Sequence, residues 1–582
     1  MNDYFIEAVE NLEIEQYALV EDFPKSADVD ENIDNIIDKY RLHPSILMIK
    51  ENVKLETKFK FRDITEEETY NVIKTLNPKK GTVENDIPAE ILIGTNDIIC
   101  NHLAHMFNDS KNSQTYPTSF KEADVTPIHK EKATTAKKNY RPVSLNMILS
   151  KVYERGMYSQ IFSYFEKFLS PYMFGYRKGH SAHYCLLNMI ELWRKALDEN
   201  KVAGAILTDL SKAFDCLSHD LLIAKLEAYG FEKSALKFIY DYLKDRKQRT
   251  KINGAYSSWR DLKYGVPQGS ILGPLLFNIF INDIFYFLKE ANIANYADDN
   301  TAHAVNDDII ELLKTLERET FTVLNWFEFN EMKSNDSKCH LIVTSENKRN
   351  YTSRSFIHLR NAFLEDEDVV KLLGVYIDND LSFDKHINGL IKKGNQKLHA
   401  LMRISKYLSK DKLRLVMKTF IESQFNFCPL LWMCHSRTIN RKINRLHERA
   451  LRVVYTDKNS TFEELLDKDK SFTIHDRNLQ KLAVEMFKVS HNLSPLPIQE
   501  LFTKRNVLNL RNDNEWVIPK VRTEKWGKET IRYRGPVTWN LLPKDFKKCK
   551  SLSSFKEKIK AWKPEGCACR LCKVYVHDLG YI

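Results

Sequence analysis

Val202-Ala203-Gly204-Ala205-Ile206-Leu207 is an unbroken run of small and apolar residues that stops at Thr208-Asp209. A run of this length predicts a strand buried on both faces and ending in a carboxylate. Farther on, Ile293-Ala294 and Thr301-Ala302-His303-Ala304 are short half-apolar runs flanking Asn295-Tyr296-Ala297-Asp298-Asp299-Asn300. Asp and Asn favour turns because their side chains bond their own backbone. The pattern therefore predicts a β-hairpin with two adjacent acids at its tip. On a straight strand those acids would point to opposite faces; a sharp turn lets one serve a site while the other supports it.

The same reading gives the remaining elements. Thr65 and Glu68 have capping-box spacing, which starts a helix that Asn77-Pro78-Lys79-Lys80-Gly81 ends. Pro88 to Phe107 predicts one helix, and Pro117 to Lys121 leads into a strand over Ala123 to Ile128. A helix runs from Ser218, a good N-cap, to Gly230, a good residue beyond a C-terminus. Ile271 to Leu288 predicts a buried helix with Pro274 in its first turn. Pro274, Asn278, Asn282 and Asp283 argue against a membrane span there. Leu312 to Phe329 is amphipathic, Asn335 to Val343 turns into a strand, and Lys371 to Asp378 reads as a hairpin. His386 to about Tyr455 is helical, and helices mix with basic loops from Phe472.

Charge changes the picture along the 582 residues, whose net charge is +10. Residues 1–40 carry twelve acids against two lysines, 385–455 sixteen Lys and Arg against three acids, and 501–563 seventeen against six. A basic back half suits a polyanion held through phosphates or a solvated helical surface. The start lacks the basic region and apolar core of a secretory signal. Ten cysteines in so long a chain do not make a disulfide scaffold, which points to a reducing compartment.

Several residues carry candidate chemistry. Asp209, with Asp298 and Asp299, could hold a pair of divalent ions that activate a 3′-hydroxyl and stabilise a pyrophosphate leaving group. Mg²⁺ suits such a site because it takes few protein carboxylates and shares its other positions with phosphate and water. Taken alone, the acid pair is also what a solvated turn looks like. Lys130 and Arg141 flank a short hairpin and could clamp a triphosphate, one as a point charge and one as a planar fork; the alternative is two surface cations. Gly265-Val266-Pro267-Gln268-Gly269-Ser270 permits close backbone approach, suiting a loop under a base pair or a plain tight turn. Trp516, Trp526, Tyr533, Trp539 and Trp562 interleave with cations and could stack bases or fill a core. In the tail, Cys567, Cys569 and Cys572 with His577 make a candidate Cys₃His zinc site, at a spacing tighter than usual.

In this order the blocks resemble those of reverse transcriptases from non-long-terminal-repeat (LINE-type) retrotransposons, of the jockey or CR1 kind. Ala123 to Lys130 is similar to the family's first block, and Asn139 to Leu145 and Phe174 to Ser181 to the next two. Asp209 to Asp215 resembles palm motif A, Gly265 to Ser270 motif B, and Tyr296 to Asp299 the Tyr-Ala-Asp-Asp box of motif C. Asn335 to Lys338 is similar to motif D and Leu373-Gly374 to motif E.

The resemblance implies an α+β, right-hand polymerase fold with a helical, basic C-terminal extension. Residues 1–106 would form an acidic, partly helical extension, 107–378 fingers and palm, 379–470 a helical basic thumb, and 471–582 a basic region with a Cys-rich tail. The implied activity is RNA-directed DNA synthesis by two-metal nucleotidyl transfer at a nicked-target primer. Asp209 and Asp298 would be metal ligands, Asp299 would complete the acid cluster, and the Leu210 carbonyl would join one of two Mg²⁺ ions. Lys130 and Arg141 would hold the triphosphate. Phe214 would lie under the sugar and reject a 2′-hydroxyl, Gln268 and Gly269 would flank the incoming nucleotide and template base, and Lys338 would protonate the departing pyrophosphate. The implied partners are template RNA, primer or target DNA and deoxynucleoside triphosphates, in an intracellular ribonucleoprotein, nuclear or cytoplasmic, without a membrane. The oligomeric state stays open.

Three departures from the family pattern stand out. The chain starts where the family's usual endonuclease would end, so it is not expected to nick its own target. Lys79 to Pro88 is irregular, and His180-Ser181-Ala182 differs mildly from the usual ending. A rival reading is a catalytically silent nucleic-acid-binding remnant. An RNA-dependent RNA polymerase is a third, disfavoured by the bulk of Phe214.

Overall fold

Local signals set most of the elements in the computed structural model, which describes residues 1–10, 29–79, 83–84, 86–130, 133–335, 338–346, 355–360, 362–505, 516–567 and 569–572. Thr65 caps the helix Glu66–Lys74. Its hydroxyl accepts from the Glu68 amide at 3.1 Å, and the Glu68 carboxylate accepts from the Thr65 amide at 3.0 Å, the reciprocal pairing of a capping box. The strands are β1 Glu122–His129, β2 Tyr140–Leu145, β3 Val202–Thr208, β4 Arg246–Ile252, β5 Ala255–Tyr256, β6 Arg260–Leu262, β7 Asn292–Tyr296, β8 Asp299–Asn306, β9 His340–Thr344, β10 Phe356–Leu359, β11 Ala362–Glu365, β12 Val369–Leu372 and β13 Val375–Asp378.

One compact unit comprises Met1–Tyr176, Thr208–Lys289 and Glu319–Lys338. Its sheet runs β2-β1-β4-β5, with β6 also on β4. β1 is antiparallel to β2 and parallel to β4. Its core takes in the helices Ile148–Phe165, His219–Ala228 and Gly273–Ile281. The apolar stretch from Ile271 forms that last helix, with Pro274 in its first turn, and continues as a 3₁₀ turn, Asn282–Tyr286. Its polar residues are buried but paired. Asn278 donates to the Gly175 carbonyl at 3.0 Å, and Asn282 donates to the Phe168 carbonyl at 2.9 Å and accepts from the Ser170 amide at 2.9 Å. Asp283 accepts from Lys225 at 2.6 Å and from the Trp326 indole at 2.8 Å. Buried polar groups bonded to the surrounding chain fit a protein interior, and no helix among the described residues is long and apolar enough to cross a membrane.

The second unit comprises Arg177–Leu207, Glu290–Arg318 and Cys339–Ile582. Its four-stranded sheet has the order β7-β8-β3-β9. β3 is buried along its whole length, as its unbroken apolar run requires. Two hairpins, β10-β11 and β12-β13, follow. The turn of the second is Leu373-Gly374, with φ of 46° and 83°, a two-residue turn with both φ values positive that suits the twist of paired strands. Long helices complete the unit, among them Ala182–Asp198, Asp384–Ile404, Arg437–Tyr455 and Ile474–Ser490.

One expectation needs correction, and one pair of alternatives is decided. The helix expected over Pro88 to Phe107 is two helices, Ala89–Gly94 and Asn96–Asn112. Thr95 breaks the run and bonds back to the Ile91 carbonyl at 2.8 Å, while Asn96 turns to the Tyr70 carbonyl at 2.9 Å. Trp516, Trp526, Trp539 and Trp562 are core side chains, each at most 8% exposed, which removes them as a base-stacking surface.

Candidate active site

In the first unit the chain leaves β3 at Thr208 and turns through Asp209 to Asp215. Leu210 forms an isolated bridge with Ser334, the Asp209 carbonyl accepts from the Asn335 amide at 2.8 Å, and the Ser211 amide donates to the Lys333 carbonyl at 2.9 Å. These bonds bring Lys338 to the acid, and its Nζ lies 2.6 Å from Asp209 Oδ2. Asp336 and Ser337, within the block read as similar to motif D, lie outside the described residues. A cation already rests on the carboxylate assigned to metal, so Asp209 is an oxygen donor facing positive charge.

Phe214 closes the same turn. Its ring stacks on Phe277 at 4.3 Å and meets Tyr176 edge-on at 5.7 Å. Two rings around a half-buried aromatic hold its rotamer, so its outer face is a fixed wall.

The loop Gly265–Ser270 packs on this turn and on β2. The Gly265 amide donates to the Leu217 carbonyl at 2.8 Å, the Val266 amide to the Phe214 carbonyl at 3.0 Å, and the Ser144 amide to the Gln268 carbonyl at 2.7 Å. The glycines serve these approaches. At Gly269, φ is +136° and a Cβ would fall 2.2 Å from the Ser144 carbonyl oxygen. At Gly265, φ is +80° and a Cβ would fall 2.7 Å from Asp215 backbone. The Gln268 side chain donates to Asp215 Oδ1 at 2.7 Å. Burial raises the Asp215 carboxyl above its ordinary pKa, and the Gln268 bond works against that rise. Asp215 is a positioning partner for Gln268 that the sequence reading passed over.

Lys130 and Arg141 belong to the β1-β2 hairpin. The Lys130 amide donates to the Asn139 carbonyl at 2.8 Å, Arg141 pairs with Ile128 across the ladder, and both side chains are exposed. Two cations thus stand at the loop end of one ribbon.

In the second unit, Asp298 and Asp299 lie where predicted. Tyr296 pairs with Asp299, leaving Ala297-Asp298 as a two-residue turn. Asp298 is exposed and Asp299 half-buried. Ala297 takes a φ of 60°, a left-handed value that side chains other than glycine seldom adopt. Two asparagines hold it there. Asn295 donates to the Ala297 carbonyl at 3.0 Å and to Asn300 Oδ1 at 2.9 Å, and Asn300 donates to the Asp298 carbonyl at 3.2 Å. Both were visible in the sequence on either side of the acids, and only their packing reveals their task.

The helix Arg437–Tyr455 buries Ile439, Ile443, Leu446, Ala450 and Val454 and exposes Arg437, Arg441, Arg445 and Arg449. Their four-residue spacing puts the guanidinium groups in one stripe. In the tail, Cys569 is buried and Cys567 and Cys572 are half-buried. His577 lies outside the described residues. Among the described residues, the imidazole that meets the cysteines is His475, with Nε2 3.2 Å from Cys569 Sγ.

Comparison with known proteins covers the same stretch of chain. Residues 128–377 match the family described as reverse transcriptase (RNA-dependent DNA polymerase). The chain is similar to the "Probable RNA-directed DNA polymerase from transposon BS" of Drosophila melanogaster, 26% identical over 426 residues, which is 69% of this chain and 45% of the relative. It is also similar to the RNA-directed DNA polymerase from mobile element jockey of the same species, 26% identical over 62% of this chain and 40% of the relative. The Drosophila funebris counterpart is 26% identical over 70% of this chain and 46% of its own length. The chain therefore spans less than half the length of these relatives. The segment carrying the candidate residues is reverse-transcriptase-like.

Proposed function

We propose that the chain is an RNA-directed DNA polymerase of a non-long-terminal-repeat retrotransposon, related to the jockey kind, that extends a primer on template RNA from deoxynucleoside triphosphates. One observation carries the reading. β3, which runs directly into Asp209, is the neighbour of β8, whose first residue is Asp299. A sheet of that order is what Asp209 and the sequence-distant pair Asp298-Asp299 need in order to act together.

The donor set is oxygen only: the carboxylates of Asp209, Asp298 and Asp299 and the Leu210 carbonyl. Oxygen donors with a cation already on one of them fit Mg²⁺. When bound, two such ions would favour the ionised primer 3′-hydroxyl and neutralise charge on the leaving pyrophosphate. The chain's own residues do the remaining work. Lys130 and Arg141 bind the triphosphate, and Lys338, released from Asp209, gives its proton to the pyrophosphate. Phe214, fixed by Phe277 and Tyr176, excludes a 2′-hydroxyl. Gln268, aimed by Asp215, and Gly269 border the nascent base pair, and the arginine stripe holds the duplex backbone. Most of the rate enhancement then comes from positioning and preorganised charge.

In this reading residues 107–378 are fingers and palm, 379–470 the thumb, 1–106 an N-terminal extension and 471–582 a basic C-terminal region. The protein works inside the cell, in the nucleus or cytoplasm, bound to its template as a ribonucleoprotein. Priming from a nicked target belongs to the same reading.

Primer extension on poly(rA)/oligo(dT) with Mg²⁺ tests it. The chain should extend the primer, and Asp298→Asn should abolish extension while leaving RNA binding nearly intact. No extension by the parent chain, or equal loss of extension and binding in the variant, overturns it and leaves a silent nucleic-acid-binding remnant.

A further inference from the structure

The tail cysteines and His475 have no part in the polymerase reading, and their meeting needs its own explanation. His475 is the second residue of the helix Ile474–Ser490, and it is 7% exposed. Thr473 caps that helix by accepting from the Asp476 amide at 3.1 Å, which fixes the first turn and the ring's direction. From the other side, the segment Cys567 to Cys572 is held by bonds just before it and within it. Before it, the Trp562 carbonyl accepts from Gln480 at 2.7 Å. Within it, Arg570 donates to the carbonyls of Cys434 and His435 at 3.3 and 3.1 Å and lies 3.0 Å from Glu529. With Arg570 turned outward, the cysteines on either side of it turn toward the helix.

The ligand atoms of His475, Cys569 and Cys572 all lie within 4.8 Å of one another. Cys567, half-buried and two positions before Cys569, offers a third sulfur from the same short segment. The Cys572 amide donates to Cys569 Sγ at 3.3 Å, a bond that favours a sulfur bearing negative charge.

Three thiols and one imidazole are a poor hydrogen-bonding set by themselves and a complete coordination set for one ion. With Zn–S near 2.3 Å and Zn–N near 2.0 Å, tetrahedral zinc needs donor atoms roughly 3.5–3.8 Å apart. A group already within 4.8 Å reaches that by side-chain rotation. Thiolates exclude Mg²⁺ and Ca²⁺, which take oxygen, and an iron–sulfur cluster takes four thiolates as a rule. We propose that Cys567, Cys569, Cys572 and His475 bind one Zn²⁺ ion that fastens the C-terminal tail to the helix Ile474–Ser490. All four positions are protein side chains, so the site is structural. It joins residues 94 positions apart. This proposal stands independently of the polymerase reading.

The test uses the full chain, purified with zinc under reducing conditions. Elemental analysis should find one zinc per chain, and X-ray absorption at the zinc edge should find three sulfur neighbours and one nitrogen. His475→Ala should lose the zinc, His475→Cys should keep it with four sulfur neighbours, and His577→Ala should leave both stoichiometry and spectrum unchanged. Absence of zinc overturns the proposal. So does a first shell without nitrogen in the parent chain, zinc that ignores His475→Ala but leaves with His577→Ala, or a Cys569–Cys572 disulfide in the reduced preparation.

Discussion

Asn295 and Asn300 face each other across the hairpin that carries Asp298 and Asp299, with their side-chain amides joined at 2.9 Å. Both are almost fully buried, at 0% and 1% exposure. Each also holds one carbonyl of the turn, Asn295 that of Ala297 and Asn300 that of Asp298. A left-handed non-glycine residue costs roughly 1–2 kcal/mol, and these bonds offset that cost at Ala297. The orientation of the acid pair thus depends on two neutral amides.

Asn300→Ala should therefore act on stability and chemistry together. Removing one partner of a buried bond costs about 1–3 kcal/mol, so the melting temperature should fall. Primer extension should fall further than RNA binding, because the loss disorders the acids and leaves the basic surfaces alone. Ala297→Gly relieves the φ of 60° and should not lower the melting temperature. Thermal denaturation alongside both assays checks this, and full extension by Asn300→Ala would remove the latch as a positioning device.

Phe214→Val should open the wall at the sugar. Phe277 and Tyr176 hold the aromatic ring from two sides, and the shorter side chain leaves space they cannot fill. Ribonucleotide use relative to deoxynucleotide use should rise by at least about tenfold in kcat/KM. An unchanged ratio would acquit Phe214 of sugar selection.

Reversing charge on the arginine stripe should weaken duplex binding in a salt-dependent way. Each lost phosphate contact flattens the plot of log affinity against log salt by roughly 0.7–0.9. Arg441→Glu with Arg445→Glu should lower affinity for an RNA–DNA duplex at low salt and flatten that slope, with little effect on stability because both side chains are exposed. Fluorescence anisotropy across a salt series measures it, and an unaltered slope would place the duplex elsewhere.

His43 should make the fold acid-sensitive. Its Nε2 lies 2.7 Å from the Phe329 carbonyl, so it must donate, and its Nδ1 accepts from the Ser45 amide at 3.2 Å. The neutral ring satisfies both contacts, whereas protonation would set an N–H against an N–H. Burial lowers its pKa to about 4. Below the ordinary histidine value of 6.5 the unfolded chain binds a proton that the folded chain refuses. Stability from this residue is complete above that value and is lost as pH falls toward 4, amounting to roughly 3 kcal/mol. Urea titrations between pH 4.5 and 7 should show a shallower pH dependence in His43→Asn than in the parent. Parallel curves would exclude His43 as a source of acid lability.

Features decided over a few residues were legible in the chain by itself. The Thr65–Glu68 cap, the apolar run ending at Asp209, the acid turn and the Leu373-Gly374 hairpin each rest on propensities and spacings that act within a single element. Pro88 to Phe107 shows where that stops. Thr95 interrupts the run by bonding back to Ile91, and Asn96 then turns to Tyr70, 26 positions away, a partner that spacing along the chain does not announce.

What only the tertiary structure decided involves partners separated by long stretches of chain. Lys338 reaches Asp209 across 129 positions and Gln268 reaches Asp215 across 53. His475, with no sequence pattern linking it to the tail, lies beside the cysteines from 94 positions away. Periodicity records which face of an element is apolar, but not which other element will cover it. That choice comes from packing and long-range loop closure over the whole fold, so a distant lysine or imidazole becomes a partner only when the chain has folded.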